Sequence, residues 1–221
     1  MTRTRVKICC ISSASEAGIA LAAGADALGL VGAMPTGPGV IADDTVRHIA
    51  GQVPPPVTPF LLTSEETAGG ILAHARRCGI TTVQIVRHVD PAVHDTLAAE
   101  APWLRRVQVI HVEGDDAPAL IGRYADRPHA FLLDSGRPGA DELGGTGRRH
   151  DWAVSARCVR AAARPVFLAG GLNPDNAADA IRTVRPYGLD ICSGVRDAAG
   201  LSENLVSAFM DAVRTADGAA A

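Results

Sequence analysis

The chain has 221 residues, with 24 acidic side chains against 21 Lys and Arg, a net charge of −3; the signs are interspersed, so no basic face offers itself to DNA, RNA or anionic lipid. Hydrophobic residues make up 47% and aromatics only 4%, which implies a core of Ala, Val, Leu and Ile and removes the stacking rings that single-stranded nucleic acid needs. No apolar run approaches the ~18 residues of a membrane span, the N-terminus lacks a signal-peptide pattern, and five cysteines without a CxxC or a nearby His at ligand spacing read as free thiols, so a cytoplasmic protein without a metal is expected.

Short apolar runs alternate with amphipathic ones from end to end. A strand is predicted at VKICCI (6–11), then a helix at 15–24, a strand at ALGLVGA (27–33) and a helix at 43–52. VTPFLLT (57–63) precedes a helix at 64–79, TVQIVR (82–87) one at 91–101, and RVQVIHV (106–112) one at 117–126. AFLLDS (130–135), PVFLAGG (165–171) and LDICSG (189–194) are followed by helices at 151–163, 173–186 and 202–216. Ser, Asp or Asn at several helix starts supplies N-caps. Eight βα units with nearly all-apolar strands predict an α/β fold of the (β/α)8 TIM-barrel type, one domain over residues 1–221; a doubly wound open sheet is the alternative. VPPPVTP reads as a rigid loop at the end of the barrel away from the site, and the tail after Ala216 as frayed.

A barrel of this kind carries its site at the C-terminal strand ends. There the first strand offers Cys9 and Cys10, the sixth Asp134 and Ser135, the seventh Gly170 and Gly171, and the eighth Ser193 and Gly194. GGTG in the loop after the sixth strand, LAGGLNPDN and CSGV place small residues before helix N-termini, where backbone N–H groups can approach a phosphate.

Together KICCI, FLLDS, GGTG with a following DW, LAGGLNPDN and DICSGV resemble the phosphoribosylanthranilate isomerase family of tryptophan biosynthesis, over nearly the whole chain. The resemblance implies an aldose–ketose isomerase that performs an Amadori rearrangement on a phosphosugar with no cofactor. It places the general base at Cys9 and the general acid at Asp134, and phosphate binding at the backbone of Gly145, Gly171, Ser193 and Gly194. Substrate-side roles fall to Lys7, Gln84, Arg87 and Asp190, with Lys7 sharing the inward face of Cys9 and its charge favouring a thiolate. Cys10, where the family usually has glycine, is expected to point outward beneath a helix. Oligomeric state stays open.

Two aglycone-side features of the family are missing. Gly39 stands in TGPGVI where an Arg is usual, and Val86 stands where the fourth strand usually has His. Arg87, His88, His111 and Arg137 are the candidate replacement cations, and Gly39→Arg is expected to restore a lost carboxylate contact. A paralogue acting on another phosphoribosylated amine and a non-catalytic phosphosugar-binding barrel are the competing readings.

Overall fold

Each predicted apolar run supplies one strand in the computed structural model, which describes residues 3–35, 37–136 and 150–219. The strands are β1 (Arg5–Ile8), β2 (Ala27–Val31), β3 (Thr58–Thr63), β4 (Thr82–Ile85), β5 (Arg105–His111), β6 (Ala130–Asp134), β7 (Val166–Leu168) and β8 (Gly188–Ile191). Between them run α1 (Ala14–Ala22), α2 (Asp43–Ala50), α3 (Ala68–Cys78), α4 (Pro91–Glu100), α5 (Ala117–Tyr124), α6 (Trp152–Ala161) and α7 (Ala177–Val184). Neighbouring strands are parallel and β1 closes on β8, so the sheet is the expected (β/α)8 barrel rather than an open one.

Alternation along the strands sorts their side chains into two cores. Leu28, Leu30, Leu61, Phe131 and Leu133 pack outward against the helices, while Ala27, Phe60, Leu62, Val107, Leu132 and Phe167 fill the barrel. Burying one large apolar side chain of this kind contributes about 1.5–3 kcal/mol.

Local chemistry sets the helix starts. Ser13 accepts from the Glu16 N–H, Asp90 caps α4 with Pro91 in its first turn, and Asp151 caps α6. Residues 64–67 stay outside α3, because Thr67 accepts from the Gly70 N–H and Thr63 Oγ1 takes the Glu65 N–H. The last helix, α8 (Glu203–Ala219), continues through the tail expected to fray. Its Asp217 carboxylate accepts from the Thr4 N–H at 2.8 Å and the Thr4 hydroxyl at 2.6 Å, tying the end of the chain to the entry of β1. A small antiparallel hairpin, β9 (Arg196–Asp197) with β10 (Gly200–Leu201), follows β8 and has no counterpart in the sequence expectation. The proline-rich stretch lies before β3, at the N-terminal end of the barrel and away from its mouth.

Candidate active site

Lys7 and Asp190 face each other across the β1–β8 seam inside the barrel, with Lys7 Nζ donating to Asp190 Oδ1 at 2.8 Å. Lys7 is wholly buried. Desolvating an ammonium costs several kcal/mol unless a fixed partner offsets it. Burial lowers the Lys7 pKa, but Asp190 and Cys9 outweigh burial, and the group is held above its ordinary range.

Gly29 on β2 explains how lysine and thiol come so close. A β-carbon there would stand 2.6 Å from Cys9 Sγ and 2.8 Å from Lys7 Nζ, so both atoms pack over one bare point of the neighbouring strand. No motif singled Gly29 out; the signal was a glycine inside an apolar strand, which marks a close approach. Gly29→Ala is expected to push the Cys9 thiol and the Lys7 ammonium apart and lower kcat/KM by about 10- to 100-fold. Steady-state kinetics on a folded variant checks this, and unchanged kcat/KM would show that the contact is idle.

Cys10 departs from its expected place. Regular β1 ends at Ile8, Cys9 N–H still donates to Ile191 O at 2.7 Å, and Cys10 then adopts a left-handed backbone with φ of 61°. Strand alternation no longer governs it, so its thiol joins the barrel-mouth cluster with Cys9 instead of packing beneath a helix. Its sulfur lies 2.6 Å from that of Cys192. The contact raises the Cys10 pKa and lowers that of Cys192. Gly39, itself at φ of 74°, sits directly against this side chain: a β-carbon on Gly39 would be 2.7 Å from Cys10 Cβ. Two of the three positions that differ from the family pattern, Cys10 and Gly39, are thus in contact with each other.

A clamp that sequence reading missed holds this turn. Arg196 bonds both carboxylate oxygens of Glu16 and the carbonyl of Cys10, while Glu16 accepts from the Ser12 and Leu201 N–H groups. Burial works against the Glu16 carboxylate, yet Arg196 and these amides bring its pKa down to about 2. The partners are 180 residues apart, which leaves no local signal.

Asp134 closes β6 at the same end of the barrel, half-buried beside His111 in the β5–β6 register, and its Oδ1 accepts from the Ser135 N–H at 2.7 Å. His111 donates its backbone N–H to His88 Nε2, and the two rings lie 5.0 Å apart. That bond needs a lone pair on His88, and burial lowers its pKa, so His88 is a neutral ring. Gln84 stands between Leu62 and Val107 in the β3–β4–β5 register, on the interior face, and Val86 is buried in the interior cluster. Arg87 instead makes an ion pair with Glu66 at 3.2 Å.

Gly171 ends the turn after β7 with φ of 64°, and Ser193 and Gly194 open a short 3-10 turn after β8. The backbone N–H groups of all three bond to no acceptor among the described residues. Asn173 and Asn176 knot the first loop by reciprocal bonds of 2.9 and 3.0 Å, and Asn176 Nδ2 donates to Gly171 O. Gly194 packs backbone to backbone on that loop, since a β-carbon there would meet Leu172 O at 2.0 Å. Gly145 and Arg137 lie outside the described residues.

Between α2 and α3, Asp43, His74 and Cys78 gather their ligand-type atoms within 4.8 Å. Arg77 engages Asp43 and Thr63 engages His74, which accounts for the group without an ion.

A closed (β/α)8 barrel that gathers ionisable groups at the C-terminal ends of its strands has the architecture of a TIM-barrel enzyme. The N-(5'-phosphoribosyl)anthranilate isomerase family model matches residues 6–212, and the chain belongs to that family. It is 36% identical to the N-(5'-phosphoribosyl)anthranilate isomerase of Haloferax volcanii over 218 residues, 98% of this chain and 96% of that protein. With the same-named protein of Chromohalobacter salexigens it shares 37% over 214 residues, 96% and 95% of the two chains. The structure of the phosphoribosyl anthranilate isomerase from Thermus thermophilus superposes with a TM-score of 0.82 at 28% identity, covering 96% of this chain and 99% of that one.

Proposed function

We propose that the protein isomerises N-(5'-phosphoribosyl)anthranilate to its 1-deoxyribulose 5-phosphate form, with Cys9 as general base and Asp134 as general acid. Asp134 gives its proton to the ribose ring oxygen as the C1–O bond breaks, leaving a Schiff base between C1 and the arylamine nitrogen. Cys9, as thiolate, takes the proton from C2, and the electron pair moves to give an enolamine. Tautomerisation of the enolamine yields the ketone. The observation that carries this reading is the Lys7 ammonium placed beside the Cys9 sulfur over the bare backbone of Gly29. Steady-state turnover of phosphoribosylanthranilate, compared with a panel of phosphoribosyl arylamines, tests it. Gly39 and Val86 favour one alternative, the same chemistry on a different amine, which the panel distinguishes. Among the described residues no helix is long and apolar enough to cross a membrane.

The phosphosugar's phosphate is assigned to the backbone N–H groups of Gly171, Ser193 and Gly194, with Gly145 as a further candidate. A phosphosugar product analogue at a hundredfold excess over Kd is expected to stabilise the protein by about 2.7 kcal/mol, a rise in Tm of roughly 5–10 °C for a chain of this size. Gly194→Val is expected to abolish the rise, because its side chain would force the β8 turn away from the Leu172 carbonyl. Thermal melts with and without ligand decide it; no shift in the parent protein at saturation would discard the cradle.

A further inference from the structure

We propose that Cys10 and Cys192 form a peroxide-reactive thiol pair, a modification site in which Cys192 is oxidised first and Cys10 closes it to a disulfide. Three observations place the pair for this. The sulfurs are already 2.6 Å apart, and both residues are free thiols. They lie just past the ends of paired strands: Ile8 is in register with Ile191, so Cys10 follows β1 by two residues and Cys192 follows β8 by one, on strands about 4.8 Å apart. Cys192 is partly exposed and Cys10 buried, which assigns the first encounter with a small oxidant to Cys192. The charges facing Cys192 support that order: Arg196 and Lys7 favour its thiolate and Asp190 opposes it. The chemistry balances with a peroxide as oxidant. The Cys192 thiolate attacks one peroxide oxygen, the O–O bond breaks, and the departing hydroxide takes a proton to become water. Cys10 then loses its proton and attacks the sulfenic sulfur, whose hydroxide leaves as a second water; two thiols are oxidised by two electrons and one peroxide is reduced. Cys9 is the competing partner, because it adjoins Cys10 and is the third thiol of the cluster.

The test is peroxide treatment of the reduced full-length protein, followed by intact-mass measurement and non-reducing peptide mapping. The expected product is about 2 Da lighter, carries a crosslink between the Cys10 and Cys192 peptides, and reverts with a dithiol reductant. Cys9→Ser is expected to keep the crosslink and Cys192→Ser to lose it, while Cys10→Gly should leave a sulfenic acid at Cys192 that a dimedone probe captures. A mass loss that survives in Cys192→Ser, a crosslink lost in Cys9→Ser, overoxidation without a crosslink, or no reaction would each overturn the proposal. Mass rather than turnover is read, so these outcomes are independent of the isomerase reaction.

Discussion

Cys9→Ser is expected to lower kcat/KM by about 10²- to 10⁴-fold, the usual contribution of a positioned proton-transfer group. A serine hydroxyl fits the space over Gly29 but is a far weaker acid than a thiol and supplies no base beside the Lys7 ammonium. Asp134→Asn should lose a similar factor while still binding a product analogue, since it keeps the shape and removes the transferable proton. Cys10→Gly restores the residue that a left-handed turn prefers and should keep most turnover, because the Cys10 sulfur is engaged with Cys192 rather than with Lys7. Rate constants for the three variants on one accepted substrate decide the assignment. Equal losses at Cys9 and Cys10 would show that the base had been misplaced, and lost analogue binding in Asp134→Asn would make Asp134 a positioning residue.

Much of this architecture was legible in the order of residues alone. Eight apolar runs at βα spacing defined the barrel, and strand periodicity put Lys7 on the inner face, where it pairs with Asp190 at 2.8 Å. The same periodicity misplaced Cys10, because it was carried two residues beyond Ile8, into a turn whose left-handed backbone reverses the side chain. Contacts between distant segments left no trace in any local pattern. The Glu16–Arg196 clamp, the Thr4–Asp217 tie and the seating of Gly194 on Leu172 all depend on how the ring closes. Gly29 is intermediate: its type was visible, but its purpose required knowing that Lys7 of β1 and Cys9 just past it converge on it.

The seating of Gly39 changes what its substitution should do. From sequence alone, Gly39→Arg would return a cation to the aglycone side. In the folded chain a side chain at Gly39 starts 2.7 Å from Cys10 Cβ and from a backbone with φ of 74°, so the single variant is expected to gain nothing and to lose stability, the left-handed backbone alone costing about 1–2 kcal/mol. Cys10→Gly removes the closest of these contacts and leaves the Cys10 Cα and O at 3.2 and 3.3 Å. The double variant Cys10→Gly/Gly39→Arg is therefore expected to exceed the parent in kcat/KM for phosphoribosylanthranilate, by up to roughly 10- to 150-fold if the arginine forms a charge-assisted contact of about 1.5–3 kcal/mol with the substrate carboxylate. Of the candidate replacement cations in the parent, His88 is a neutral ring and Arg87 is engaged by Glu66. The parent's activity on this substrate should be detectable but modest, since weaker orientation of the aglycone leaves Cys9 and Asp134 in place. Kinetics of the parent, both single variants and the double variant form a cycle whose coupling term is the quantity of interest. Additive effects, or a gain from Gly39→Arg alone, would show that Cys10 does not govern access to this position. A gain confined to the double variant would establish that the departures at positions 10 and 39 are one structural change, with the thiol occupying room that an arginine needs.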